Sequence, residues 1–591
     1  MCGICGELRF DGQSPDLKQI QSMMKELEKR GPDHGGTYSD GPLGMGHRRL
    51  SIIDLTEHAN QPMVDQELGL SLVFNGTIYN YPELREELTA KGYHFFSTGD
   101  TEVILKAFHA WGEQCVERLS GMFAFAVWDM AKQRLFLARD RFGIKPLYYA
   151  YEHGRFLFAS NTQALLAAGG VDTRLDPTGL HHQFTLHAVV PAPTTIFMGV
   201  RKLSPGHSLT VELTGKPRLQ QYWELSARRP ASKLSDTDWI EAIHEALKRA
   251  VDKRIRIADV PVGVLLSGGL DSSLLVGLLS EAGVSGLKTF TVGFEDQPEE
   301  KGSEFEYSDP VAERFATEHH KFHVPNSHVL ERLPEAVDAM AEPMFGQDAV
   351  AFYLLSEQVS KQVKAVQSGQ GADEVFGGYF WYPQMAAETE GSLVERFRKH
   401  YFDRDHDEWL DMISSGFHTG DVTSGLIDQK LNAIKGDEFI DRVLALDATT
   451  LIVDDPVKRV DNMTMAWGLE ARVPFLDHEL VELAASMPPE LKMREGGKYV
   501  LKKIARGLVP DSVIDRPKGY FPVPALKYVR GDFLEFMRDI LNSQACRERG
   551  LYQRDYVEKL LASPESNLTR IKGSKLWHLA LFEFWLQRHG L

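Results

Sequence analysis

Residues 260–283 read VPVGVLLSGGLDSSLLVGLLSEAG, an apolar run, a turn of small residues carrying one carboxylate, and a second apolar run. The first run has the length and β-branching of a buried strand, and the second has the length and leucine content of a helix. Strand, tight loop and helix in that order make one half-turn of a parallel α/β sheet. At the start of such a helix, backbone amides and the hydroxyls of Ser267, Ser272 and Ser273 can cradle a phosphate. The loop 267–273, SGGLDSS, is not the G-x-x-x-x-G-K-[ST] loop of enzymes that pass on a terminal phosphoryl group. It points instead to ATP cleaved to AMP with release of pyrophosphate. Taken alone, a glycine-rich strand-to-helix turn is as often scaffold as site.

Working outward, LKTFTVGF at 287–294 reads as the next buried strand, and the last third of the chain as mainly helical. Upstream, DTDWIEAIHEALKRAVDKRI at 236–255 repeats Trp239, Ile243, Leu247 and Val251 at helical spacing. A polar stretch with RRPASK precedes it, which places a domain boundary between Gly215 and Ser235. Before that boundary the texture changes to short aromatic and β-branched segments: SLVFNGTIYN, GMFAFAVWDM, RLFLARD, PLYYAY and RFLFAS. The last two flank Glu152, His153 and Gly154, which predicts a hairpin with Gly154 at positive φ. The expected organisation is a sheet-rich domain over residues 2–215 and an α/β domain with a helical C-terminal part over 235–591.

Bulk properties narrow the function classes. A chain of 591 residues exceeds the roughly 250–300 residues one core supports. With 43% hydrophobic and 25% charged residues it has an ordinary globular balance, and no apolar run approaches the ~20 residues of a membrane span. A net charge of −17 opposes binding to nucleic acid. Four cysteines, Cys2, Cys5, Cys115 and Cys546, are too few for a disulfide framework, and the first residues lack the pattern of a secretory leader, so a cytoplasmic enzyme is expected.

Cys2 directly follows Met1, so removal of the initiator would leave thiol and α-amine on one residue. An α-amine titrates near ~7.7–8.0 and can take the thiol proton without a histidine. Cys2 and Cys5 also form C-x-x-C, but no second pair completes a zinc site, and Cys5 reads as a small buried residue.

Downstream stand RGPDHGG at 30–36, HRRLSIIDL at 47–55, FNGTIYN at 74–80, TGDTE at 98–102 and DRFGIKPLYY at 140–149. Together with MCGICG these resemble the class II glutamine amidotransferases, and above all the glutaminase domain of asparagine synthetases. The resemblance implies an α+β N-terminal-nucleophile fold, an αββα sandwich, followed by an ATP-pyrophosphatase-type synthetase domain. It implies that Cys2 attacks the glutamine carboxamide while Asn75 and the amide of Gly76 stabilise the oxyanion. Arg49 would hold the glutamine α-carboxylate, and Asp100 its ammonium group. The family usually carries a glutamate in N-G-E-I-Y-N; here the position is Thr77, one carboxylate fewer.

In the second domain, SGQGADEVFGGY at 368–379, RVDNMTMAWGLEARVPFLD at 459–477 and GKYVLKK at 497–503 resemble the same family. The implied ATP and pyrophosphate contacts are Leu265, Ser267, Gly268, Gly269, Asp271, Ser272, Ser273, Ser368 and Gly369, with Val292 against adenine and Lys498 on the departing pyrophosphate. Asp271 and Asp373 would share Mg2+. Because water destroys an acyl-adenylate, ammonia is best delivered inside the protein, and the family implies a tunnel.

For the acceptor carboxylate, Gln370 stands where the family usually has an acidic residue. A neutral amide cannot act as a carboxylate base. The combination of MCGICGELRFDG, NGTIYN and SGQGADE resembles the N-acetylglutaminylglutamine amidotransferases, which amidate an acetylated dipeptide on the way to an osmoprotectant. Free aspartate is the nearer alternative. A tRNA-modifying ATP-pyrophosphatase shares the SGG-x-DS loop but not the acidity. An inactive scaffold conflicts with the intact set Cys2, Asn75, Asp271, Asp373 and Lys498. The expected partners are glutamine, ATP and a small carboxylate, with a homo-oligomer possible.

Overall fold

The computed structural model describes residues 2–516 and 523–591. Met1, on which the α-amine argument turns, lies outside the described residues. Two six-stranded antiparallel sheets make up the N-terminal domain. In the first, strand Cys2–Arg9 lies between Leu43–Arg49 and Arg155–Ala159. In the second, Leu70–Ile78 pairs with Gly121–Asp129, and Arg134–Arg139 follows.

Alternation along the strands decides what each face covers. Ile4, Leu8 and Met45 meet Val73, Ala126 and Leu137 between the sheets. Cys5 turns the other way, onto Ile20, Met23 and Met24 of helix Leu17–Glu26. Phe74, Phe125 and Phe136 face Val103, Ala107 and Phe108 of helix Asp100–Trp111. The order is helix, sheet, sheet, helix. The hairpin Tyr148–Glu152 to Arg155–Ala159 turns through His153 and Gly154 at φ 51° and 74°, the pair of positive angles a two-residue turn of this twist needs.

The second sheet also takes strand Pro217–Gln221, antiparallel to His207–Glu212. The N-terminal domain thus extends past residue 215, the end read from the sequence. That strand is exposed along its length and has no apolar face to announce it. The second domain opens at helix Asp236–Arg256, where Ser235 and Asp238 cap each other reciprocally and Trp239, Ile243, Leu247 and Val251 are all buried.

Among the described residues, five parallel strands form the second domain's sheet, in the spatial order Glu318–Val324, Lys288–Phe294, Val262–Leu265, Ala365–Gln367, Glu470–Arg472. Beyond residue 372 the regular structure among the described residues is helical apart from Glu470–Arg472. No helix among the described residues is long and apolar enough to cross a membrane.

Candidate active site

Cys2 begins the central strand of the first sheet, paired in register with Arg49, and is almost fully buried. Its backbone N–H donates to Asn75 Oδ1 at 3.0 Å, a contact that reaches from one sheet to the other. Because the Asn75 oxygen is fixed there, its Nδ2 is turned away, and that nitrogen is buried without a hydrogen-bond partner. A buried donor left without a partner, on the side chain that holds the Cys2 amide, is what an oxyanion would complete. Gly76 follows on the same strand, where a Cβ would lie 2.1 Å from Met122 O, so no side chain fits.

Burial pushes the Cys2 thiol above its usual range, while the Leu50 amide and Arg49 pull it back. His47, two residues before Arg49, is held neutral by burial with its pKa near 3, and its Nε2 faces Phe74 O at 3.2 Å. That contact ties the first sheet to strand Leu70–Ile78 of the second. Arg49 is engaged by its own loop: Nη1 donates to Thr56 O and Asn60 Oδ1, both at 2.8 Å, and Nη2 to the carbonyls of Ile53 and Asp54. Gripping a carboxylate as a fork would require this loop to release some of those contacts.

Asp100 opens helix Asp100–Trp111 and accepts from the Ile78 amide at 3.0 Å. Burial lifts its pKa to about 6, with the nearby Glu470 adding to the rise. Glu470 comes from the second domain and was not found from sequence. Both its carboxylate oxygens lie 3.4 Å from Thr77 Oγ1, and Oε1 accepts from Arg472 Nε at 2.5 Å. Burial would raise its pKa, but Arg472 and Lys145 outweigh that and hold it near 2. A full carboxylate charge therefore stands at the position where Thr77 lacks one. Alongside, Arg30 donates from Nε to Cys2 O at 3.3 Å and from Nη1 to Asp461 at 2.9 Å, and Lys145 meets the same carboxylate at 3.2 Å.

The loop 267–273 lies at the edge of a cavity of about 700 Å³. Ser272 Oγ is within hydrogen-bond reach of the Ser267 amide and hydroxyl, and Ser267 Oγ accepts from the Gly269 amide, which tightens the turn. Gly269 caps helix Leu270–Glu281 with no side chain, so no cap occupies the first amides of the helix, and residues 269–272 line the cavity. Leu265, Ser267, Gly269, Asp271, Ser272, Ser368, Gly369 and Lys498 line this cavity, as does Asp373.

Three expected ATP contacts do not line it. Gly268 is the pivot of the turn at φ 74°, with no room for a Cβ against Ser308. Ser273 is fully buried in the helix, facing the core. Val292 packs into the apolar core with Phe294 and Val324, while Phe290 and Thr291, earlier on the same strand, line the cavity.

Lys498 Nζ sits between Asp271 Oδ2 at 2.6 Å and Asp373 Oδ1 at 2.8 Å. Burial alone would lower its pKa, but the two carboxylates hold it above the usual lysine range. Gly378 permits this meeting, since a Cβ there would lie 2.1 Å from Asp373 Oδ1 and 2.3 Å from Lys498 Cε. Two carboxylates converging on one cation are spaced to share another, so the donor set fits Mg2+ once the ammonium moves to phosphate.

Gln370 lines the same cavity. Beyond it the wall is aromatic and polar. Trp381 stacks on Tyr379 with centroids 4.3 Å apart, and its buried Nε1 has no hydrogen-bond partner. His187, held through Nδ1 by Asp403 at 3.0 Å, and the pair Arg459–Asp348 at 2.8 Å complete that side.

Comparison with known proteins agrees with this division. Residues 242–587 match the asparagine synthase family, and residues 1–223 a glutamine amidotransferase domain. Asparagine synthetase [glutamine-hydrolyzing] 1 of Bacillus subtilis (strain 168) is 33% identical, covering 99% of this chain and 96% of its own. Asparagine synthetase 3 of the same organism is 31% identical over 100% of this chain and 99% of its own. Amidase chry2 of Gibberella zeae is 28% identical over 89% of each.

Proposed function

The chain belongs to the glutamine-hydrolysing asparagine synthetase family, and from that premise we propose that it uses glutamine-derived ammonia and ATP to amidate N-acetylglutaminylglutamine. Cys2 Sγ attacks the glutamine side-chain carbonyl carbon, and the oxyanion takes Asn75 Nδ2 and the Gly76 amide. Collapse expels ammonia, which carries away a proton taken from the thiol, and water then releases glutamate from the thioester. At the second site the acceptor carboxylate attacks the α-phosphorus of ATP, pyrophosphate leaves toward Lys498, and ammonia displaces AMP from the acyl carbon. Asp271 and Asp373 would hold Mg2+, which supplies charge neutralisation on the phosphate oxygens.

Internal transfer of ammonia is supported by how short the link between the sites is. Strand Glu470–Arg472 has Glu470 in the Cys2 pocket, and its Arg472 carbonyl accepts from the amide of Ser368 at 2.8 Å, in the ATP-site loop.

The acceptor reading is carried by two neutral groups lining one cavity, Gln370 and Trp381, whose buried Nε1 has no hydrogen-bond partner. An acetylated dipeptide brings amide carbonyls and no free ammonium, so it needs neutral donors where aspartate would need an acid. Free aspartate is the competing acceptor, favoured by the names of the relatives above. The test is pyrophosphate release with ATP, magnesium and glutamine, offering each acceptor in turn and weighing the product. Turnover with the dipeptide supports the proposal, and asparagine formed from aspartate in its place overturns it. In Cys2→Ala, glutamine-dependent amidation is lost while ammonium chloride still supports it.

A further inference from the structure

Away from both active sites, three ligand-type side chains from both domains converge. His181 lies on helix Pro177–Thr185 of the N-terminal domain, His406 opens helix His406–Met412, and Asp421 caps helix Val422–Ala433. One ligand atom from each lies within 4.8 Å of the other two. We propose that His181, His406 and Asp421 bind one transition-metal ion of the Zn2+ class, which latches the glutaminase domain to the helical part of the synthetase domain.

The geometry is close to formed. His181 Nε2 and His406 Nδ1 are 3.0 Å apart. A tetrahedral ion with bonds of about 2.0–2.1 Å sets its ligands roughly 3.3 Å apart, so the two nitrogens need to give only a few tenths of an ångström. One hydroxyl limits the tautomers of His181 and its neighbour His182. Thr423 Oγ1 meets both His181 Nδ1 and His182 Nδ1, and a hydroxyl has one proton to give. At least one of the two imidazoles must therefore donate to it. With His181 Nδ1–H as that donor, the Nε2 lone pair faces His406 and is held in place through the opposite ring nitrogen, as metal-binding histidines usually are.

Access and charge also fit. His181 is buried, while His406 and Asp421 line an open polar hollow on the surface, so an ion can enter and keep water as a fourth ligand. Two imidazoles and one carboxylate favour Zn2+, Ni2+, Co2+ or Cu2+ over Mg2+. None of the three residues lines the ATP cavity. The competing reading is a bare imidazole–imidazole hydrogen bond.

Trp409 supplies the readout, its ring centroid 4.7 Å from that of His181 and 6.1 Å from that of His406. The full chain, stripped with chelator, is titrated with Co2+ and with Zn2+, following tryptophan emission, bound metal per chain and the thermal midpoint. The comparison is with His406→Ala and Asp421→Asn. Asparagine still caps a helix, so the second variant keeps the fold, and glutaminase activity checks both. The expected result is one equivalent bound by the wild type, Co2+ quenching of emission and a raised thermal midpoint, with affinity at least tenfold weaker in both variants. Equal metal binding by wild type and variants, or none by the wild type, overturns the proposal. Neither outcome touches the acceptor reading, which is measured at the other site.

Discussion

At the scale of single residues, Thr77 and Glu470 carry the most consequence. A glutamine ammonium group placed between Asp100 and Glu470 meets two carboxylates, one from each domain, although the N-terminal motif supplies only one of them. Losing a charge-assisted contact there costs about 1.5–3 kcal/mol, so Glu470→Gln is expected to raise the glutamine KM roughly tenfold to a hundredfold. Ammonia-dependent synthesis stays near wild type, as steady-state assays with each nitrogen source will show. Adding Thr77→Glu to Glu470→Gln should recover part of the loss. Thr77→Glu alone should not help, because it sets two carboxylates against each other. Asp100 gives a pH dependence of definite sign. With its pKa raised to about 6, it is ionised at neutral pH and gains a proton as the pH falls through that value. Glutaminase kcat/KM should therefore fall on the acid side with an apparent pKa near 6, and Asp100→Asn should be low throughout and lack that limb.

Elements set which of these residues meet. Loop 368–378 must bring Asp373 onto Lys498, and Gly378 is the position that allows it. Gly378→Ala pushes a methyl group into both side chains. A misplacement of about 1 Å can cost about a hundredfold in rate. Pyrophosphate release should fall on that order while glutamine hydrolysis, measured as glutamate, is unchanged. Helix Asp236–Arg256 was readable from its spacing alone, down to the four buried residues Trp239, Ile243, Leu247 and Val251, whereas its cap at Ser235 came only with the structure. The hairpin at Gly154 was readable for a similar reason, since a tight turn has to be built from residues that accept positive φ. Strand Pro217–Gln221 was not, because every residue of it is exposed and an edge strand without an apolar face carries no period.

For the whole molecule, the interface between the domains joins apolar packing, such as Phe184 on Phe345 and Phe582, to buried charge. Arg30 and Lys145 from the first domain share Asp461 of the second, and Lys202 joins Glu342 and Asp454. Leaving such a network with an unpaired charge costs about 3–5 kcal/mol, so Asp461→Ala should lower the thermal midpoint clearly in calorimetry. The acid limit follows from the same groups. Asp461 and Glu470 both have folded pKa values below the usual carboxylate range, Glu470 near 2. Their contribution is complete above the unfolded pKa of about 4–4.5 and is lost as the pH falls toward 2. The thermal midpoint should drop through that window, with a shallower slope in Glu470→Gln.

The sequence by itself determined the chemistry class. Cys2, Asn75, SGGLDSS and SGQGADE belong to local strings whose backbone geometry and reactive groups travel together: Cys2 and Asn75 sit on strands, and the two loops each lead into a helix. Only the tertiary structure decided what lies across from them. Glu470 is 393 residues from Thr77, Asp461 is 431 from Arg30, and His406 is 225 from His181. No local period or spacing encodes such meetings. They follow from how two separately patterned domains bury charge against each other, and that is a property of the assembled surfaces.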